Sequence, residues 1–133
     1  MRDAGDHVFE YALTAYDEPF ADSQVVLDAE RYNRGYAVAV GRVVSGMPNL
    51  CLRSDNVRLT AVKRAEDGVG LALRLAEYRG QAGKAVLSLP ADVTTAARVN
   101  LLERETRPLT TRNGKVTLAL RPWEIATVRV QVL

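Results

Sequence analysis

The sequence predicts a mostly β protein, an antiparallel β-sandwich with one short helix in its N-terminal third. Three observations carry that prediction. Bulky residues recur at period two in several runs, the spacing that lines one face of a strand. Asp67-Gly68 lies between two such runs and Asn113-Gly114 precedes another, and tight hairpin turns need residues tolerant of positive φ. Only one segment, Asp22–Arg34, breaks the pattern by spacing Val25, Ala29, Tyr32 and Tyr36 helically.

In chain order, the first strand expected is His7–Leu13, with Phe9, Tyr11 and Leu13 on one face. The helix follows, with Asp22 or Ser23 as its cap. Gly35–Val44 shows little alternation, and Ser45-Gly46-Met47-Pro48-Asn49 reads as a boundary loop. Val57, Leu59 and Ala61 then alternate with Arg58 and Thr60. Beyond Glu66-Asp67-Gly68, Val69, Leu71, Leu73 and Leu75 alternate with Gly70, Ala72, Arg74 and Ala76. The turn Gly80–Gly83 leads to a strand over Lys84–Leu89, stopped by Pro90.

Thr94–Glu103 has a composition that suits a helix. Its position between strands and its β-branched Thr94, Thr95 and Val99 favour a strand, although periodicity alone does not settle the choice. Val116, Leu118 and Leu120 form the next face. Val128, Val130 and Val132 form the last, with Ile125 out of step, so a bulge or a bend is expected near Ala126. From about Asn56 onward the chain reads as a meander of hairpins. Residues 1–46 are expected to be the terminal strand and helix of a preceding large β-domain, and residues 47–133 a C-terminal sandwich.

Composition narrows the function. Of 133 residues, 47% are hydrophobic and 26% charged, enough for a packed core. The 18 basic and 16 acidic residues are interleaved, so no nucleic-acid footprint is expected. A single cysteine, Cys51, excludes an internal disulfide and fits a reducing, cytoplasmic setting. The N-terminus does not read as a signal peptide, and no apolar run reaches the ~20 residues needed to cross a bilayer. Arginine supplies 15 of the 18 basic residues, a bias expected of a GC-rich bacterial genome.

Several segments together resemble a known family. Asp3-x-Gly5-x-His7-x-Phe9-x-Tyr11-Ala12-Leu13 is similar to the end of the large β-domain in α-mannosidases of glycoside hydrolase family 38. Val57-x-Leu59-x-Ala61-Val62-Lys63-Arg64-Ala65-Glu66-Asp67-Gly68, continuing through Leu73-Arg74-Leu75-x-Glu77, resembles the first hairpin of that family's last sandwich. Asn100-Leu101-Leu102-Glu103 and Leu120-Arg121-Pro122-Trp123-Glu124-Ile125 resemble its closing strands. The chain departs from the family at Thr14-Ala15-Tyr16, where a Pro-His pair is usual, and at Asn33-Arg34-Gly35, where the family has Asn-Asn-Pro. The family's zinc, its His and Asp ligands and its carboxylate nucleophile lie in an N-terminal region that nothing here resembles. The resemblance therefore implies zinc in a parent enzyme and assigns no catalytic or metal residue to this chain.

The candidate sites read the same way. Retaining glycosidases need two carboxyls about 5–5.5 Å apart, one with a raised pKa. Glu66 and Asp67 are neighbours at a turn and read as a solvated hairpin tip. Asp3, Asp6 and His7 fall short of a zinc set because a catalytic zinc needs three firm ligands on rigid elements, whereas these lie in a fraying segment with a single histidine. With one histidine, no Ser-His-Asp arrangement is available. Cys51 is expected to be a buried, inert thiol, and the glycine pairs open no phosphate-cradling helix.

Trp123 is the single carbohydrate-binding candidate. A position in the core is favoured about four to one, because Trp is mostly buried. The expected function is a non-catalytic C-terminal sandwich of an enzyme that hydrolyses α-mannosides, with that enzyme's catalytic and large β-domains as partners. The alternatives are a stand-alone carbohydrate-binding module and a structural module that forms homo-oligomers through residues 1–45.

Overall fold

The computed structural model describes residues 5–34, 50–104 and 106–132. The chain divides into two units, Met1–Val40 and Gly41–Leu133. The run Gly35–Val44 and the boundary expected near Met47 lie outside the described residues.

In the first unit the helix α1 spans Val25–Arg34. Its cap differs from expectation. A turn over Pro19–Ser23 precedes it, in which the Ser23 hydroxyl donates to the Phe20 carbonyl at 2.9 Å. Gln24 supplies the first helical acceptor, taking the Asp28 N–H at 3.0 Å. Asp28–Arg31 and Glu30–Arg34 ion pairs brace the exposed face. Val25, Ala29 and Tyr32 share a shallow depression with Tyr11 and Ala12, so the helical stripe faces the preceding segment.

The strand expected over His7–Leu13 is not formed. Residues 5–20 carry no ladder, and none of the strands below pairs with them. Phe9 and Leu13 are 83% and 98% exposed. Alternation marks out a face, but a strand also needs a neighbour for its backbone N–H and C=O groups.

The second unit holds nine strands among the described residues: β1 Cys51–Arg53, β2 Val57–Arg64, β3 Leu71–Glu77, β4 Gly83–Ser88, β5 Val93–Val99, β6 Arg107–Pro108, β7 Thr111–Arg112, β8 Lys115–Leu120 and β9 Ile125–Val132. They form two antiparallel sheets, β1-β4-β8-β7 and β2-β3-β9-β5-β6. Thr94–Val99 thus resolves as strand, and Asn100–Arg104 as the turn that ends it. Leu73, Leu75, Val128 and Val130 from one sheet meet Leu87, Val116, Leu118 and Leu120 from the other in one buried core. Each such side chain contributes about 1.5–3 kcal/mol by leaving water.

Two hairpins match their turn residues. Asn113 and Gly114 both have positive φ, 50° and 68°, and join Arg112 to its partner Lys115 in a two-residue turn. The β2–β3 turn is wider, closing with the Gly68 N–H on the Ala65 carbonyl and the Ala65 N–H on the Gly70 carbonyl. At Gly70 a Cβ would fall on the Val130 carbonyl oxygen, so only glycine fits there.

Two expectations are corrected. The second unit is not a simple meander, because β1–β2, β3–β4, β4–β5, β6–β7 and β8–β9 each cross from one sheet to the other. No bulge occurs near Ala126. Ala126, Val128 and Val130 point inward in unbroken register with β3, and Ile125 simply faces outward. The register shifts lie instead on β2 between Leu59 and Ala61 and on β5 between Val93 and Thr95. The first of these makes Val62, not Ala61, the partner of inward-facing Leu73.

Candidate functional site

Where the crossings meet, a buried carboxylate organises one end of the sandwich. Glu77 ends β3 in phase with Leu73 and Leu75, so its side chain points where a core residue would. Its Oε1 accepts from the Arg79 N–H at 2.7 Å and from Asn56 Nδ2 at 3.1 Å. Its Oε2 accepts from the Gly80 N–H at 2.9 Å and the Trp123 N–H at 2.8 Å. Burial alone would push its pKa up. The N–H groups of Trp123, Arg79, Gln81 and Gly80 outweigh burial and hold it below the ordinary glutamate value.

Glu77 therefore ties together three crossings: β1–β2 through Asn56, β3–β4 through residues 79–81, and β8–β9 through Trp123. Asn56 extends the tie, donating to the Gln81 carbonyl at 3.1 Å. Gly83 abuts it, since a Cβ there would lie 2.7 Å from Asn56 Oδ1.

Trp123 sits on this scaffold in an unusual state. Its φ is 61°, the left-handed region, which costs a bulky residue about 1–2 kcal/mol. Its side chain is 60% exposed, so the expected core position is corrected. The left-handed backbone turns the indole outward onto Gly80, where a Cβ would lie 2.6–3.0 Å from ring atoms. Gly80 itself has φ 71°.

A second carboxylate staples the outer side of the five-stranded sheet. Glu103, buried in the turn after β5 with φ 60°, pairs with Lys63 at 2.7 Å and accepts the Glu66 N–H at 2.7 Å. Lys63 holds the Glu103 carboxyl below its usual range, assisted by the Glu66 N–H and opposed by burial. The two glutamates in turn raise the Lys63 ammonium, with Glu103 the larger influence. Glu66 also pairs with Lys63.

The Asp67 tip is braced rather than merely solvated. The Val69 N–H and then Arg129 lower its pKa, and Arg129 pairs with it from β9. Glu124 is lowered first by the Arg121 N–H, against burial and with help from Arg98, with which it pairs at 2.7 Å. Among the described residues, Asp67, Glu77, Glu103 and Glu124 are thus all held below their ordinary values. A general acid in glycoside hydrolysis needs the opposite direction.

The remaining candidates disperse. Asp6 and His7 are exposed in the segment without secondary structure, and Asp3 lies outside the described residues. No three His, Cys, Asp or Glu side chains gather to hold a metal among the described residues. Cys51 is exposed on β1, which corrects the buried thiol; successive side chains of a strand point to opposite faces, and Cys51 lies on the outer one. An open depression of about 400 Å³ lies beside Arg98, Asn100, Arg107, Arg121 and Glu124, with Glu124 engaging Arg98 and Arg121.

Sequence reasoning missed Asn56, Glu77 and Glu103 as organising residues. A legible signal existed for Glu77: a carboxylate in phase with two core leucines has to be satisfied by hydrogen bonds.

No curated protein and no solved structure matches the chain. The family model of the glycosyl hydrolases family 38 C-terminal beta sandwich domain matches residues 56–128, more than half of the chain. That span begins at Asn56 and contains Glu77, Glu103 and Trp123, the ends of both staples. The chain therefore belongs to the family of glycosyl hydrolases family 38 C-terminal beta sandwich domains.

Proposed function

We propose that this chain is the structural end of an α-mannosidase-like enzyme, and that hydrolysis of α-mannosides is carried out elsewhere in that parent. The family match over residues 56–128 carries this reading. The downward pKa shifts support it, because the buried carboxylates serve as acceptors for backbone N–H groups and lysine rather than as proton donors. The parent's zinc, on this reading, is bound by its catalytic region. The partners are the parent's catalytic and large β-domains, and the setting is cytoplasmic. Within the described residues no helix is long and apolar enough to cross a membrane.

The decisive experiment compares hydrolysis of 4-nitrophenyl α-mannoside, with zinc added, by the parent protein and by this chain alone. Turnover by the parent and none by the chain is expected. Turnover by the chain alone would overturn the proposal, as would a parent that is inactive on α-mannosides yet cleaves other glycosides.

A second reading is a structural module that associates with another copy through residues 1–45. The exposed Val8, Phe9, Tyr11 and Leu13 favour it. Sedimentation of the chain over a range of concentrations tests it: a dimer lost in Phe9→Ser supports it, and a monomer throughout removes it.

A further inference from the structure

We propose that the exposed indole of Trp123 is a stacking platform for a hexopyranose ring, a carbohydrate subsite at the crossing end of the sandwich.

Several backbone features are committed to holding this side chain at the surface. Trp123 has a left-handed backbone that bulky residues avoid, and Gly80 has another directly beneath the ring. A buried carboxylate, Glu77, fixes both backbones at once, by 2.8 Å and 2.9 Å hydrogen bonds. Strained, over-determined backbone of this kind gathers at functional sites. Had the indole only to fill the core, the inward positions of β9 would have taken it, and small Ala126 occupies the first of them.

The geometry suits a sugar. The Cζ2, Cε2 and Nε1 atoms of the ring lie against Gly80, and the residue is more than half exposed. The residues that flank Trp123 and Gly80 in the chain are largely polar: Gln81 is exposed, and the Arg121 side chain is 86% exposed. A pyranose carries C–H groups on one face and hydroxyls at its rim, which match an apolar ring surrounded by hydrogen-bonding groups. A protein partner would instead need a contiguous apolar patch within an interface of roughly 1,000 Å² or more. Ile125, the next exposed apolar residue along the chain, belongs to the outer face of the five-stranded sheet. The choice of mannoside as first ligand rests on the proposed function; the platform itself does not.

Trp123 is the only tryptophan, so its emission reports on its own surroundings. The complete 133-residue chain is titrated with soluble α-mannan, with dextran and with methyl α-mannoside. A saturable quench or blue shift with at least one of them is expected. Affinity electrophoresis should show that glycan retarding the chain, and binding roughly tenfold weaker or worse in Trp123→Asn, which keeps a residue tolerant of the left-handed backbone. Gly80→Ala, which displaces the ring, should weaken binding as well.

No emission change and no retardation with any of the three would overturn the proposal. So would binding retained by Trp123→Asn. An emission shift seen only when the rest of the parent enzyme is added would assign Trp123 to a domain interface and also overturn it. None of these results alters the comparison of hydrolysis between parent and chain, so failure of the subsite and failure of the proposed function are told apart.

Discussion

Strand β3, Leu71–Glu77, and the stretch His7–Leu13 are both seven residues long and both alternate bulky with smaller or polar side chains. Their fates are opposite. Leu73 and Leu75 are fully buried, flanked by β2 on one side and β9 on the other. Phe9, Tyr11 and Leu13 stand in water, and among the described residues no strand pairs with them. Side-chain pattern is equal in the two regions, so it does not explain the difference. Neighbours do: β3 has two strands to take its backbone groups and a facing sheet to cover its leucines. Among the described residues, the pattern over residues 7–13 meets no strand that could pair with it.

The largest expected effect in this comparison is at the residue that closes β3. Replacing Glu77 by Ala strips acceptors from the N–H groups of Arg79, Gly80 and Trp123 together. At about 1–3 kcal/mol for each unsatisfied group, partly relieved by water, a loss on the order of 4 kcal/mol is expected in urea unfolding followed by circular dichroism. Glu77→Gln should lose less, since the amide oxygen keeps one acceptor. A change under about 1 kcal/mol for the Ala variant would remove Glu77 from the account.

Next comes Leu73→Ala, expected to lose about 2–5 kcal/mol for a fully buried leucine with a facing sheet. The matching experiment on the other region replaces Phe9, Tyr11 and Leu13 by Ser together. Exposed side chains of this kind change stability by about 0.5 kcal/mol or less, so the triple substitution should leave the sandwich unfolding curve nearly unmoved. A triple-variant loss as large as that of Leu73→Ala would erase the distinction between the regions.

Acid should produce an intermediate and selective effect. Glu77, Glu103, Glu124 and Asp67 all have folded pKa values below their unfolded ones. Their stabilisation is complete above the unfolded values, 4.5 for the glutamates and 3.8 for Asp67, and is lost as pH falls through the lower folded values. Lys63 has the opposite sign: its contribution holds below 10.5 and fades as pH rises through its raised folded value. Thermal unfolding should therefore show stability falling steeply below about pH 4.5, and Glu77→Gln should flatten that fall. An unchanged acid limb in Glu77→Gln would contradict the assignment of its shift.

Much of the sandwich was legible because its determinants are local. Asn113-Gly114 encodes a two-residue turn by itself, and Val116, Leu118 and Leu120 encode the face that follows. The crossings between sheets were not legible, because Gly80–Gly83 reads the same whether the chain turns back on its own sheet or steps to the other. Trp123 was placed in the core on the ordinary burial of Trp. Its exposure depends on Glu77, 46 residues away, and no window around residue 123 contains that information. The same holds for Glu103, whose partners lie 37 and 40 positions earlier at Glu66 and Lys63. Ile125 misled for another reason: small Ala126 fills its inward place without any bulge.

Buried carboxylates lock one unit, whereas among the described residues the stretch before α1 has no strand partner. Amide hydrogen exchange on the complete chain tests both halves in one experiment. Strong protection is expected for the amides of β3, β8 and β9 and for the N–H groups of Gly80 and Trp123 held by Glu77, with residues 7–13 exchanging at close to the unprotected rate. Protection over residues 7–13 equal to that of β3, or free exchange of the Trp123 N–H while β3 stays protected, would contradict it.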